Sequence, residues 1–499
     1  MTLQQAIEKL NRTEKAIYAL NHATCIVSTD GETAAPRESW RARGESLAYL
    51  SELLYQQTQN PELEEALQTI LAHREETDEI TYRRAQVLQE DYEDMHVLPM
   101  EEYVAYGQLT NDAGAVWRQA KQESDYALFA PYLEKLIAAR RRYASLKAPE
   151  KPVYDVLLDC YEKGATMAQL DPFFETVRRE LTPLIAEFAK KPLTPPAFMS
   201  EVFPVAAQRE FSDRIMALEG IDPARCTLGE TEHPFTSGPN KWDVRITTHY
   251  HKEDVLASLY SVIHEGGHAL YEMGVADELQ YTCLGGGSTM GVHESQSRFY
   301  ENLIGRSRAF AEPLLRAMKE FFPDQMRDVT EEELYRAVNL AKPSLIRTEA
   351  DELTYSLHVM IRYELEKAMM AGDLTVPELP AAWNEMYRKY LGVTPPDDRQ
   401  GVLQDSHWSF GGMGYFPSYA LGSAYGVQML RRMEKEMDVW GNVARGDLSP
   451  ITAWLGEKIH RFGRLKEPMN VLQNAMGGPL DPTVYTDYLK EKFTPLLRA

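Results

Sequence analysis

The segment His264-Glu265-Gly266-Gly267-His268 constrains this chain more than any other part of its sequence. Two histidines four residues apart on a helix lie on the same face, so their imidazoles can close on one Zn²⁺ ion. Glu265 lies beside the position that such an ion leaves open, where a carboxylate can take a proton from water. Apolar residues recur at helical spacing on both sides, namely Leu256, Leu259, Tyr260, Ile263, Leu270 and Tyr271. The segment therefore predicts a helix with a metal site and a general base.

The two glycines inside this predicted helix need an explanation, because each costs about 1 kcal/mol relative to alanine. Small residues at positions 266 and 267 either leave room above the metal or allow a neighbouring helix to pack closely. Both interpretations agree with the sequence.

A chance match to the H-E-x-x-H pattern would have no third metal ligand, whereas here Glu294 is available in the segment Gly291–Arg298. Two histidines and a glutamate with an open fourth position form a catalytic zinc set, while structural zinc sites are closed and rich in cysteine. The histidines also cluster, since six of the 12 in the chain fall between positions 233 and 293. We expect one zinc ion per chain, bound by His264, His268 and Glu294. A degenerate or inert site is the alternative.

The composition is that of a globular protein, with 499 residues, 44% of them hydrophobic and 26% charged. The formal net charge of −22 disfavours binding to nucleic acid or to anionic membranes, both of which select basic surfaces. The first ten residues lack the features of a signal peptide, and no run of 18 apolar residues predicts a membrane span. The four cysteines are scattered, which is typical of reduced thiols in a cytoplasmic protein. We therefore expect a cytoplasmic protein.

Amphipathic periodicity predicts a mostly α-helical chain. The predicted helices lie at 3–20, 63–71, 130–147, 172–188, 206–218, 310–321, 331–341, 351–371, 379–390, 422–437 and 482–492. The clearest strand pattern runs from Trp242 to Tyr250, and the turn-rich Thr236–Asn240 before it suggests a hairpin or a small sheet. Pro-rich breaks at 191–196 and 392–398 are interpreted as loops that end helices rather than as linkers. We therefore expect a single domain over residues 1–499.

Hydrolysis at such a metal site needs hydrogen-bond donors for the oxyanion that forms on the attacked carbonyl. The segments Gln404–Trp408 and Gly411–Tyr419 supply candidates, because their glycines allow a close approach to a substrate. His407 and Tyr415 are the predicted donors. A core histidine hydrogen-bonded to Asp405, and a tyrosine that only packs, are the alternatives.

Five segments together resemble the carboxypeptidase Taq family, the thermostable metallocarboxypeptidases of the gluzincin group. They are the H-E-x-x-H helix, His293–Gln296, Asp243–Thr247, Ile346–Asp351 and Gly401–Trp408. The resemblance covers essentially the whole chain. It implies a single large helical unit split by a deep active-site groove, with a small β-sheet beside the zinc site, as in neurolysin and angiotensin-converting enzyme. It also implies release of single amino acids from the C-terminus of peptides with broad specificity, a homodimer, and zinc that cobalt can replace.

The resemblance assigns Arg347, in the Ile-Arg-x-x-Ala-Asp motif, to the free C-terminal carboxylate of the substrate, which a guanidinium can bind through two hydrogen bonds. A structural ion pair with Glu349 or Asp351 is the alternative. The segment Val244–Tyr250 resembles an edge strand that pairs with the substrate backbone. Arg245 within that segment would contact the substrate or serve the fold.

The resemblance also suggests which groups assist the metal. Tyr415 precedes Phe-Pro-Ser much as the oxyanion tyrosine of angiotensin-converting enzyme precedes a similar segment, and Tyr419 is the second candidate. Glu272, one turn past His268, is the candidate for a carboxylate that supports the zinc histidines.

Two other functions fit the same residues. A zinc oligopeptidase or a dipeptidyl carboxypeptidase would use the same chemistry but a groove that is blocked at a different distance from the scissile bond. A non-catalytic helical protein that binds peptides and keeps a metal for stability would not need a base, and the intact Glu265 argues against it. The expected partners are peptides with a free C-terminus and a second copy of the chain, with no nucleic acid and no membrane.

Overall fold

Helices make up most of the molecule. The computed structural model describes residues 1–191 and 193–498, and it is 69% helix and 4% strand. This composition confirms the predicted mostly helical class. The first Pro-rich break follows a helix that ends at Lys190, and Pro192 within it lies outside the described residues. The second break follows a helix that ends at Tyr390.

Nine α-helices precede the sheet in the described part of the chain. Side chains cap several of them, since Thr2, Asn60 and Asp78 each accept a hydrogen bond from the first turn of the helix that follows. The helices are α1 (Leu3–Thr33), α2 (Trp40–Thr58), α3 (Pro61–Ala72), α4 (Glu79–His96), α5 (Met100–Glu123), α6 (Tyr126–Lys147), α7 (Val153–Asp159), α8 (Met167–Lys190) and α9 (Val205–Glu219).

The metal motif lies on α10 (Val255–Gly274), and the next helix, α11 (Met290–Arg298), continues into a π-helical segment, Phe299–Gly305. The remaining helices complete the C-terminal half of the chain. They are α12 (Ala311–Phe321), α13 (Glu331–Val338), α14 (Glu352–Ala371), α15 (Leu379–Tyr390), α16 (Pro417–Met433), α17 (Val439–Ala444), α18 (Ser449–Lys458), α19 (Pro468–Met476) and α20 (Pro482–Arg498).

A small sheet of three strands packs against α10. Its strands are β1 (Cys226–Glu230), β2 (Thr236–Asn240) and β3 (Asp243–Thr248), in the order β1-β3-β2, with β1 parallel and β2 antiparallel to β3. The prediction that the Val244–Tyr250 segment is an edge strand is wrong, because β3 has a neighbour on each side. The segment Thr236–Asn240, which looked like a turn, is itself edge strand β2. An edge tolerates Pro239, which has no N–H to donate.

One hydrophobic cluster runs from Ala113 to Leu496 and joins α5 to α20. The side chains at its centre, such as Leu357 and Leu430, are fully buried, and each contributes roughly 1.5–3 kcal/mol. A separate cluster around Leu10 and Leu67 holds α1, α3 and α4 together. No helix of residues 1–191 or 193–498 is long and apolar enough to cross a membrane.

Two glycines set the distance between the metal helix and its neighbours. A Cβ atom at Gly267 in α10 would lie 2.7 Å from the backbone oxygen of Gln296 in α11. A Cβ atom at Gly422 in α16 would lie 2.8 Å from the Cβ atom of Glu294. Such distances are too short for real Cβ contacts, so glycine alone lets α11 lie this close to both helices. Of the two interpretations of the motif glycines, the structure therefore supports helix packing for Gly267.

We expect Gly422→Ala to destabilise the fold by about 1–3 kcal/mol, the usual cost of overpacking. The added methyl group would push α11, and Glu294 with it, away from α10, so metal affinity should fall as well. Thermal unfolding and chelator competition measure the two effects. Gly456→Ala in α18 is the matched control, because no atom lies within 4 Å of its Cβ position and alanine favours a helix. The same stability in both variants would contradict the packing account.

Candidate metal centre and active site

The three predicted metal ligands converge on one point. The Nε2 atoms of His264 and His268, both on α10, each lie 3.7 Å from Oε2 of Glu294 on α11. All three atoms lie within 4.8 Å of one another. The four-residue spacing on α10 places the two imidazoles on one face, with their ring centroids 5.0 Å apart, and the close packing of α11 brings the carboxylate to them.

The first metal histidine is held by a buried carboxylate that the sequence reasoning missed. Nδ1 of His264 lies 2.9 Å from Oε2 of Glu301, in the π-helical segment. Arg298 and Arg306 both donate hydrogen bonds to the same carboxylate, at 3.1 and 3.2 Å. Burial alone would raise the pKa of Glu301, but Arg298, His264 and Arg306 hold it far below its ordinary value. Glu301 therefore stays ionised and orients the His264 ring.

The second metal histidine is supported through a relay. Nδ1 of His268 lies 2.6 Å from Nδ1 of His293, whose Nε2 lies 2.7 Å from Oε1 of Glu272. If Nε2 of His268 is a metal ligand, its Nδ1–H donates to His293 and the Nε2–H of His293 donates to Glu272. The predicted carboxylate is thus present, but it reaches His268 through His293.

The donor set fits a divalent cation. Arg298 donates to Oε1 of Glu294 at 2.7 Å, so the other polar atoms of the three ligands already have partners. The two Nε2 atoms have no hydrogen-bond partner among the described residues, and Oε2 of Glu294 accepts one hydrogen bond of 3.2 Å from the Ser297 hydroxyl, which leaves this oxygen a lone pair for a cation. Tetrahedral zinc with bonds of roughly 2.0–2.1 Å needs ligand atoms about 3.4 Å apart, close to the spacing found.

Glu265 lies beside this set, in a cavity of about 420 Å³ that His268, Glu294 and Tyr415 also line. Its Oε2 accepts a hydrogen bond of 2.6 Å from Oγ1 of Thr236, in the edge strand β2. Burial raises the pKa of Glu265, while His264 acts in the opposite direction. A buried carboxylate with a raised pKa is a suitable general base near neutral pH.

Two further cavities of about 490 and 560 Å³ border the segment between α10 and α11, the first along 285–287 and the second along 288–290. Met290 lines both the second of them and the metal cavity, so these two cavities adjoin.

Two of the three predicted oxyanion donors line the metal cavity, and the third does not. Tyr415 and Tyr419 line the metal cavity, and burial raises the pKa of Tyr415, so its hydroxyl stays protonated. His407 is not among the residues that line it, and its Nε2 lies 3.3 Å from the Tyr419 hydroxyl. Burial lowers the pKa of His407 to about 4, against the opposing effect of Asp405. The alternative hydrogen bond from His407 to Asp405 does not occur.

Asp405 is instead the partner of Arg347. Nε and Nη2 of Arg347 both donate to Oδ1 of Asp405, at 3.1 and 2.9 Å, and Nη1 donates to the Tyr355 hydroxyl at 3.0 Å. The suggested ion pairs with Glu349 and Asp351 are wrong, because the guanidinium points toward the 404–419 segment. It lies 4.8 Å from the centre of the Tyr419 ring. Two of its five N–H groups have no hydrogen-bond partner within residues 1–191 and 193–498.

Arg245 and Cys283 lie away from the metal cavity. Arg245 forms two hydrogen bonds with Asp243 on the same strand, at 2.8 and 3.0 Å, which fits the structural alternative. Cys283, in the segment between α10 and α11, directs its thiol toward the backbone oxygen of Arg84, at 3.7 Å, and not toward the metal cavity.

Sequence reasoning missed Thr236, His293 and Glu301. Glu301 stands seven residues after Glu294, a helical spacing that places both on one side, so a search for a second carboxylate would have found it. In the sequence, His293 is marked only as one of the six histidines between positions 233 and 293. Thr236 carries no sequence signal, because its contact with Glu265 depends on the sheet.

Comparison with known proteins gives one consistent result. The family model described as "Carboxypeptidase Taq (M32) metallopeptidase" matches residues 9–493. The chain belongs to the carboxypeptidase Taq family. Family membership makes it a metal-dependent peptide hydrolase of the carboxypeptidase type.

Relatives from the same family match along their whole length. Carboxypeptidase 1 of Bacillus subtilis is 37% identical over 486 residues, which is 97% of each chain. Thermostable carboxypeptidase 1 of Thermus thermophilus is 34% identical and covers 99% of this chain and 100% of its own. Among solved structures, the M32 carboxypeptidase of Deinococcus radiodurans R1 superposes with a TM-score of 0.95 at 34% identity, over 99% of this chain and 100% of that one.

Glu301→Gln should weaken metal binding about 10- to 100-fold, the usual contribution of a partner that orients a metal histidine. The amide keeps the size of the side chain but removes the charge that fixes the His264 ring. Competition with a chelator measures the dissociation constant and requires no turnover. Glu312→Gln, at an exposed carboxylate paired with Arg316, should leave that constant unchanged. An unaltered constant in Glu301→Gln would show that Glu301 does not support the metal.

Proposed function

We propose that the chain is a zinc-dependent carboxypeptidase of the gluzincin type, which releases single amino acids from the C-terminus of peptides with broad specificity. The observation that carries the proposal is the convergence of His264, His268 and Glu294 beside the carboxylate of Glu265. Family membership supports the carboxypeptidase activity.

His264, His268 and Glu294 would hold one zinc ion per chain, and cobalt would substitute for it. Zinc bound there would lower the pKa of water toward about 7 and polarise the scissile carbonyl. A set of two imidazoles and one carboxylate suits zinc better than magnesium or calcium, which prefer oxygen ligands.

Glu265 is proposed as the general base and general acid. Its carboxylate takes a proton from the attacking water and passes it to the nitrogen of the leaving amine. Thr236 donates to Oε2, so that the carboxylate faces the cavity in one orientation. The scissile bond must then lie next to the start of β2.

Tyr415 and Tyr419 are proposed to donate hydrogen bonds to the carbonyl oxygen as negative charge develops on it. Both residues line the cavity that contains Glu265. For His407, whose Nε2 faces the Tyr419 hydroxyl, we propose an indirect role in holding that hydroxyl. Because its pKa is about 4, His407 is neutral at neutral pH and can both donate and accept a hydrogen bond.

The substrate backbone is proposed to pair with β2 rather than with β3. The backbone N–H of Thr247 in β3 donates to Phe235 at 3.0 Å. Alternation along an antiparallel strand then turns the main chain of Thr236 away from the sheet. A free strand edge beside Glu265 binds peptides by main-chain hydrogen bonds, which are indifferent to the side chains. Broad specificity would follow.

Arg347 is proposed to bind the C-terminal carboxylate through its two remaining N–H groups. We also propose one domain over residues 1–499, a homodimer and a cytoplasmic location. The partners would then be peptides with a free C-terminus and a second copy of the chain. Arg245 is proposed to stabilise β3 through Asp243 and to have no direct contact with substrate.

Glu265→Gln should lower kcat by at least about 100-fold, because general acid–base groups typically contribute 10²–10⁴-fold. The amide cannot take a proton, but it leaves all three metal ligands in place. Metal content should therefore stay at one ion per chain. Measurement of both quantities on the same preparation separates loss of the base from loss of the metal, and an unchanged kcat would exclude the proposed role.

The assignment as a carboxypeptidase is tested by one peptide with a free and with an amidated C-terminus. The free acid should be cleaved about 10- to 100-fold faster, since hydrogen bonds to a charged group contribute about 1.5–3 kcal/mol. Arg347→Gln should abolish this preference rather than merely lower both rates. Equal cleavage by the unaltered chain, or release of dipeptides, would favour the oligopeptidase or the dipeptidyl carboxypeptidase instead.

A further inference from the structure

Glu366 on α14 is a buried carboxylate without a role in the chemistry described above. Its side chain is fully buried and accepts three hydrogen bonds. The Tyr154 hydroxyl and the backbone N–H of Gly414 donate to Oε2, at 2.7 and 2.8 Å, and Nε1 of Trp408 donates to Oε1 at 2.7 Å. Two of these donors belong to the segment that contains His407 and leads to Tyr415.

A second residue of α14 holds the other end of the same segment. Arg362 lies four residues before Glu366, so both side chains project from one face of the helix. It donates to Oδ2 of Asp405 and to Oε1 of Gln404, each at 2.7 Å. The segment from Gln404 to Gly414 is therefore attached to α14 at both ends.

The contact at Gly414 leaves the main chain little freedom. Its φ angle of +95° favours glycine, and a Cβ atom there would lie 2.6 Å from the backbone oxygen of Leu157 in α7. Tyr154, the third donor to Glu366, belongs to the same helix α7. The carboxylate thus joins α7, α14 and the loop at the residue directly before Tyr415.

The cluster needs two accepting oxygens on Glu366. Burial raises the pKa of Glu366 to about 7, although hydrogen bonds from Gly414, Trp408 and Tyr154 act in the opposite direction. A glutamine would replace one of the two oxygens with an NH₂ group. This group would face the N–H of Gly414 or the Nε1–H of Trp408, and neither of them can accept a hydrogen bond.

We propose that Glu366 is a positioning residue that fixes the Trp408–Gly414 loop and thereby sets the Tyr415 hydroxyl over the metal cavity. The inference rests on the proposed role of Tyr415. Tyr415 itself is held by its N–H, which donates to Gly412 in the same loop at 3.4 Å, and by edge-on packing of its ring against Tyr161 and Tyr419, with ring centroids 5.1 and 5.3 Å away. Without Glu366 the loop would remain packed, but the hydroxyl would lose its defined place.

The test compares Glu366→Gln with the unaltered, metal-loaded chain at pH 8, where the carboxylate is mostly ionised. kcat should fall about 10- to 100-fold, because a misplacement of about 1 Å can cost 100-fold. KM and the metal dissociation constant should each stay within about twofold. Hydrogen exchange at the Gly414 amide should become faster, which reports the loop directly.

A double variant identifies the residue through which Glu366 acts. Tyr415→Phe alone should lower kcat about 100-fold or more, the usual effect of losing an oxyanion donor. Adding Glu366→Gln to that chain should lower kcat by no more than about threefold further. A loss of the full 10- to 100-fold in the double variant would overturn the inference, because Glu366 would then act independently of Tyr415.

Glu352→Gln is the matched control, since Glu352 lies on the same helix and has a buried carboxylate that accepts from Lys492 and Tyr488. It should leave kcat and Gly414 exchange unchanged. If Glu366→Gln fails to fold, Trp408→Phe removes one loop hydrogen bond and should show the same pattern with a smaller loss of kcat.

The outcomes separate the inference from the proposed function. Normal kcat and normal Gly414 exchange in Glu366→Gln would overturn the inference and leave the proposed function intact. Normal kcat in Tyr415→Phe would refute the role proposed for Tyr415, and with it the inference.

Discussion

The close approach of α10, α11 and α16 is the constraint on which the rest of the structure depends. Gly267 and Gly422 have no side chains, and this alone lets α11 lie between the other two helices. Gly266 also packs without a side chain, against the buried carboxyl group of Glu219 in α9. The H-E-x-x-H helix is therefore enclosed on its outer faces, and its two histidines are turned toward Glu294. Gly266 and Gly267 lower the helix propensity of the motif. Gly267 also lets α10 and α11 pack closely enough for His264, His268 and Glu294 to meet.

Two separate layers of buried charged side chains surround the place where His264, His268 and Glu294 meet. Glu301 and Arg298 form the layer behind the ligands, where they orient one imidazole and one carboxylate. Asp405 forms a second layer with Arg347 and Arg362, and this group carries one net positive charge beside the tyrosines of the cavity. Removing one partner of a buried pair is costly, so each layer holds its shape. That rigidity holds the side chains of the metal cavity in place before a substrate arrives.

Local features of the fold and site could be predicted, and long-range ones could not. The predicted helix at 351–371 matches α14 to within one residue, because apolar residues recur along it, Asp351 caps its first turn and Gly372 ends it. Helix α2 was not predicted, because its apolar stripe of Leu47, Leu50 and Leu54 is weak and is only half-buried in the structure. The convergence of His264, His268 and Glu294 could be expected from their spacing on two helices. The central position of β3 and the pairing of Arg347 with Asp405, 58 residues away, depend on how distant segments pack.

Anomalous diffraction from crystals of the zinc-loaded protein tests the central claim most directly. We predict one anomalous peak per chain, at roughly 2.0–2.2 Å from Nε2 of His264, Nε2 of His268 and Oε2 of Glu294. A peak bound by other residues, or the carboxylate of Glu294 turned away from a zinc ion that the two histidines hold, would contradict the account.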